Sequence, residues 1–112
     1  MDSILTSVKK MLGLTEDYEH FDTDIIMHIN SAFMVLHQLG VGPTSGFRIT
    51  GKYETWDEFI PKDVVVLDGV KTYVYQKVRL IFDPPTSSAH IEALKNSIAE
   101  FEWRLNVAAE SM

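Results

Sequence analysis

A chain of 112 residues with 46% hydrophobic and 23% charged side chains is the size of one globular domain with a modest core, which excludes disordered, fibrous and multi-domain architectures. With no cysteine, disulfides and thiolate metal sites are excluded, and no apolar run approaches the roughly 18 residues that a membrane-spanning helix needs. A formal charge of −6 and a pI near 5.0 argue against a protein that grips phosphate backbones tightly.

Asp2 and Ser3 are N-cap candidates for a first helix, in which Ile4, Leu5, Val8, Met11 and Leu12 recur at helical spacing before Gly13. Lys9 and Lys10 fall inside this amphipathic pattern, whereas a signal peptide sets its basic residues ahead of a continuous apolar run, so the expected compartment is a cytosol. Thr15 to His20, with Glu16, Asp17 and Glu19, reads as an acidic connector, so that 1–20 is a short helix and its link, and Asp22 reads as the cap of the next helix. That helix is predicted over Asp22 to Leu39. Ile25, Ile29, Ala32, Leu36 and Leu39 form its seam, Ile26 and Phe33 widen it, and Met27, Met34 and Val35 put apolar side chains elsewhere on its surface.

Gly40, Gly42, Gly46, Gly51 and Pro43 end this helix and predict a long exposed loop over 40–60, whose last part is a turn anchored by Trp56 and Phe59. Phe47 to Tyr53 alternates weakly and allows a short hairpin. From Asp63 to Phe82, Val70, Thr72, Val74, Val78, Leu80 and Phe82 alternate as in a strand. The run is about twenty residues long, however, and Leu67, Val70, Val74, Val78 and Ile81 also share one helix face, so length favours a helix, with continuity at Gly69 left open. Pro84 and Pro85 stop it. Thr86, Ser87 or Ser88 caps a final helix in which Ile91, Leu94, Ile98, Phe101, Leu105 and Ala108 keep a strict three-four alternation. The predicted fold is all-α: a single domain built as a small bundle of three to four helices with a long Gly-rich loop.

No catalytic or metal-binding constellation emerges. His20, His28, His37 and His90 contain no i, i+4 pair and no HExxH, so they read as surface or capping residues. Asp22 and Asp24 open like a calcium loop, but Ile25, Ile26 and Met27 follow where oxygen ligands are required. Gly40, Gly42 and Gly46 approach a dinucleotide fingerprint, yet they follow a helix rather than a strand. Glu100 and Glu102 point in different directions on a helix and cannot share a proton. The chain therefore reads as a non-enzyme without a cofactor. Lys71, Lys77 and Arg79, with no acid between 70 and 82, form either a solvated or salt-bridged face or a contact for an acidic partner or passing nucleic acid. Trp103 lies some 200° round the helix from Phe101, so it packs on another side of the fold or, beside Arg104, makes an interface hot spot.

The segments FDTDIIMHINSAFMVLHQLGVGP (Phe21 to Pro43), VKTYVYQKVRLIFDPPTS (Val70 to Ser87) and EFEWRLN (Glu100 to Asn106) resemble the head-tail connector, or DNA-packaging adaptor, proteins of tailed bacteriophages and prophages. The most specific parts are KxRLxFDPP, here Lys77 to Pro85, and the EWRLN ending. The resemblance implies a virion protein that forms a ring, twelve-fold in the virion, beneath the portal protein, extends the DNA channel and receives the next head-completion or tail-joining protein. DNA would pass without specific binding, and no membrane is involved. It places Phe101, Trp103, Arg104 and Leu105 near one interface, and makes Gly40 to Tyr53, with Phe47 and Tyr53, an arm toward a neighbouring subunit. Helices Asp22 to Leu39 and Val64 to Phe82 carry more apolar surface than one small core can bury, and subunit contacts account for the excess. In such a ring Lys71, Lys77 and Arg79 would face an acidic strip on the next protomer. The alternative from another class is a small helical nucleic-acid-binding regulator, for which three bases among apolar residues make a poor recognition helix. An accessory subunit or enzyme with a nonstandard site comes third.

Overall fold

Ser3 has extended backbone and accepts a hydrogen bond from the Thr6 amide at 3.0 Å, which opens helix α1 (Ile4–Met11) at one of the two expected caps. The computed structural model describes residues 3–60 and 64–110, and in it four more helices follow: α2 (Asp22–Gln38), the single turn α3 (Trp56–Phe59), α4 (Val64–Phe82) and α5 (Ser88–Glu110). Asp2 and Asp63, singled out in the sequence, lie outside the described residues. Among the described residues no strand forms; β-type pairing is confined to an isolated bridge between Ser3 and Thr55.

The α2 seam is buried as its period requires: Ile25, Ile29, Ala32, Phe33 and Leu36 enter one core with Val70, Tyr73, Val74 and Val78 of α4. Phe21 and Phe82 stack edge to face at 5.2 Å, placing the start of α2 beside the end of α4, so the two helices run antiparallel. Helix α1 adds Ile4, Leu5 and Val8 across both, while Met11 faces solvent. Asp22 is not the cap expected of it. Phe21 holds that position, and the Asp22 carboxylate instead lies 2.8 Å from the ammonium of Lys9, off the hydrogen-bonding axis, as an ion pair. Lys9 is only 2% exposed and donates to the Glu16 carbonyl at 3.0 Å, so a buried cation fastens the acidic connector to the core.

Helix α4 runs unbroken through Gly69, and its alternating β-formers are recruited by helical packing instead of a ladder. It ends at Phe82, where Pro84 excludes the helical conformation for Asp83. Ser87 then accepts from the His90 amide at 3.1 Å and caps α5. Of the strict α5 seam only Ile98 and Leu105 are buried; Ile91, Leu94, Phe101 and Ala108 remain partly exposed because α5 packs mainly on α4.

Residues 39–55 differ most from expectation. The loop has no hairpin and is packed rather than extended as a free arm: Val41 and Ile49 are buried, and Phe47 lies on Phe33 and Phe59 at ring separations of 5.3 Å in both cases. Asn30 of α2 supplies the partners that a strand would have given, accepting from the Ile49 amide at 2.7 Å and donating to the Ile49 carbonyl at 2.9 Å. Beyond it, Glu54 accepts from the Thr50 amide and hydroxyl at 2.9 and 2.8 Å, and its carbonyl accepts from the Ile4 amide. Burial pushes the Glu54 carboxyl pKa up, but the hydroxyl and amide donors of the loop outweigh it and hold the group below its ordinary value.

Two glycines separate backbone need from accident. Gly42 has φ +93°, and a Cβ there would overlap the Phe59 ring. Gly69 is helical, and a Cβ there would meet Leu105 at 3.6 Å in ordinary contact. Gly42→Ala is therefore expected to cost about 2–4 kcal/mol, and Gly69→Ala to gain about 0.5–1 kcal/mol by restricting the unfolded chain. Urea midpoints of the two variants check both signs.

Candidate functional site

The C-terminal ending divides between two directions. Glu102 faces α4, where its carboxylate accepts a 2.7 Å hydrogen bond from the buried Tyr73 hydroxyl and lies 3.8 Å from the Lys77 ammonium. Leu105 is 4% exposed and belongs to the core. Asn106 donates to the Leu39 carbonyl at 3.1 Å and satisfies an orphan acceptor at the end of α2. Gln76 and Ser97 add a 2.9 Å hydrogen bond across the same helix pair. Trp103 and Arg104 point the other way. Trp103 is 65% exposed, which resolves its two readings in favour of an outward side chain, and Arg104 makes only an exposed ion pair with Glu100 at 3.3 Å.

The bases of α4 do not form one strip. Lys77 turns to Glu102, Arg79 donates to the Tyr75 hydroxyl at 3.1 Å beside Met11 and Leu12, and the Lys71 ammonium sits 5.9 Å above the Trp56 ring. The cause is geometric, since six residues advance Lys77 by about 240° from Lys71. Phe101 is half-buried against Gly69, Phe47 is drawn into the aromatic cluster of Phe33 and Phe59, and Tyr53 projects into solvent.

Further apolar side chains face outward on α2, where Met27 and Met34 are 57% and 58% exposed, and at Val65 and Ile81 of α4. An apolar groove of about 340 Å³ lies where the α2–α3 loop, the start of α4 and the end of α5 meet. A second depression, of about 370 Å³, is polar and holds Lys9 and Asp22 with Glu16, Asp17, Glu19 and Lys52. Among the described residues no group of three or more His, Cys, Asp or Glu side chains is placed to hold a metal ion, and no helix is long and apolar enough to cross a membrane.

Sequence reasoning missed Glu102, Asn30 and Lys9. Glu102 stands four residues after Ile98 and three before Leu105, and Lys9 stands four after Leu5 and three before Leu12; a charge so framed by apolar residues of its own helix face is the signal that finds both. Asn30 carried no such mark.

Trp103, Met27 and Met34 face outward on a small all-helical body. The chain matches the phage connector protein family across residues 4–112 and belongs to it. No curated protein and no solved structure matches the chain.

Burial first, and then the hydrogen bond to and charge of Glu102, hold the Tyr73 hydroxyl pKa well above its ordinary value of 10.0. A raised folded value means the contribution is complete below the ordinary value and is lost as the pH climbs from there. Tyr73→Phe is expected to cost about 1 kcal/mol at neutral pH, and its deficit relative to the parent chain should shrink above about pH 10. Guanidinium unfolding from pH 7 to 11.5 measures this; a deficit constant across the range contradicts it.

Proposed function

We propose that the chain is a subunit of a head-tail connector ring, twelve-fold in the virion, that sits beneath the portal protein, extends the DNA channel and joins the head to the next completion or tail protein. The observation that carries this reading is family membership over almost the whole chain. The outward apolar residues of α2 and α5 support it, since Trp and Met are enriched at protein–protein interfaces relative to the rest of the surface. The net charge of −6 suits a channel through which DNA slides, because like charge keeps the duplex from adhering to the wall. The role is positional and not catalytic: the subunit makes a symmetric joint and bears load, assembled in the host cytoplasm and retained in the virion. A nucleic-acid-reading role finds less support, because the three bases of α4 are directed to Glu102, Tyr75 and Trp56.

Light scattering across a concentration series, alone and with the portal protein of the same phage, tests the reading. A discrete multimer, formed alone or only on the portal, is the expected result. A chain that stays monomeric in both series overturns it.

A further inference from the structure

The apolar groove and the outward Trp103 are the two unsatisfied apolar features that fit one another. The groove is lined by Val41, Pro43, Phe59, Ile60, Leu105 and Ala109, and Glu58 stands at its rim, exposed and, among the described residues, with a long 3.5 Å contact from the Thr55 hydroxyl. At about 340 Å³ it lies at the small end of the roughly 300–1,000 Å³ range of ligand pockets, wide enough for one large aromatic side chain and too small for a helix. Trp103 is such a side chain, fixed on a long helix and followed at once by Arg104. Arg104 spends its charge on an exposed pair within its own helix, which is worth little and exchanges readily.

We propose that Trp103 of one protomer inserts into this groove on a second copy of the chain, and that Arg104 leaves Glu100 to pair with Glu58 of that copy. The proposal rests on the connector-ring reading and names the contact that would build it. The occupant is a second copy because apolar knob and apolar hole, cation and anion, are present together on one chain. Trp103 and Leu105 stand about 200° apart round α5, so the knob and the floor of the hole belong to different faces. A protomer can then use both at once, and the contact is heterologous, the type that closes into rings.

The chain contains no cysteine, which makes directed cross-linking clean. Arg104→Cys and Glu58→Cys chains are mixed and oxidised, and the mixed disulfide should outnumber both homodimers. The double variant should give a ladder of covalent multimers, and adding Trp103→Ala should lower the cross-linking yield by roughly tenfold. Separately, Arg104→Glu should abolish assembly on the portal, and Glu58→Arg in the same chain should restore it. All of these positions are exposed, so circular dichroism should show unchanged helix content. Homodimers as abundant as the mixed species, or a yield indifferent to Trp103→Ala, overturns the contact. If the parent chain still assembles under those conditions, the ring reading survives without it. A parent chain that does not assemble, together with Cys variants that form no mixed disulfide, overturns both.

Discussion

The structure depends on the antiparallel seam between α2 and α4. Ile25, Ile29, Phe33 and Leu36 from one helix and Val70, Tyr73, Val74 and Val78 from the other are all removed from water, and every other element takes its position from them. Removing a side chain of this size from water is worth about 1.5–3 kcal/mol, so this pair of helices holds the largest share of the core. Helix α1 lies across both members of the pair. Helix α5 packs mainly on α4, which is why twenty-three residues of regular helix bury two. A helix attached on one side keeps its opposite face for something else, and the uneven distribution of burial is thus the physical origin of the outward surface.

The seam is closed at its ends by different means. Phe21 and Phe82 cover one end. At the other, Phe33 gathers Phe47, Phe59 and Trp56 into an aromatic cluster, and the Trp56 indole donates to Ser7 at 2.8 Å, so the irregular loop becomes part of the core. Such a loop must find partners for its backbone, and Asn30 provides them at Ile49 without a neighbouring strand. Lys9 does comparable work for the acidic connector. Its ammonium is taken out of water at a cost that the Asp22 carboxylate and the Glu16 carbonyl offset, and the gain lies in fixing where the connector crosses the bundle.

The four long elements were readable because each has a single apolar period and a chemical stop: Gly13 after α1, Gly40 after α2, Pro84 after α4 and a serine ahead of α5. Even α4, rich in residues that favour strands, was legible from its length. The loop was not. Its conformation rests on a contact between residues 30 and 49 and on an aromatic cluster spanning α2, the loop and α3, and local periodicity contains no trace of either. Asp22 misled for a related reason, since a carboxylate suited to capping was claimed by a buried lysine thirteen positions earlier. Within the candidate site, the angle to Phe101 took Trp103 off the seam without deciding whether it packs elsewhere, and its exposure, the burial of Leu105 and the spread of Lys71, Lys77 and Arg79 to separate neighbours depended on which helix α5 and α4 would meet.

Within five consecutive residues the ending EWRLN both secures α5 and presents its outer face. Glu102, Leu105 and Asn106 reach α4, the core and the end of α2, and the 100° step of the helix then compels Trp103 and Arg104 to face away. Because α5 has so little buried seam, these inward ties carry a large share of its attachment. An exposed aromatic on a loosely held helix would have to be ordered at the moment of contact, and that entropy would weaken the joint. Fixing the helix through Tyr73, Leu105 and Leu39 meets the cost during folding, so the outward pair is already in place in the folded chain. Substitutions on the two sides of this short segment thus act on different quantities: those facing in change the stability of α5 and with it every contact α5 makes, and those facing out leave the fold intact and change only what the protein can join.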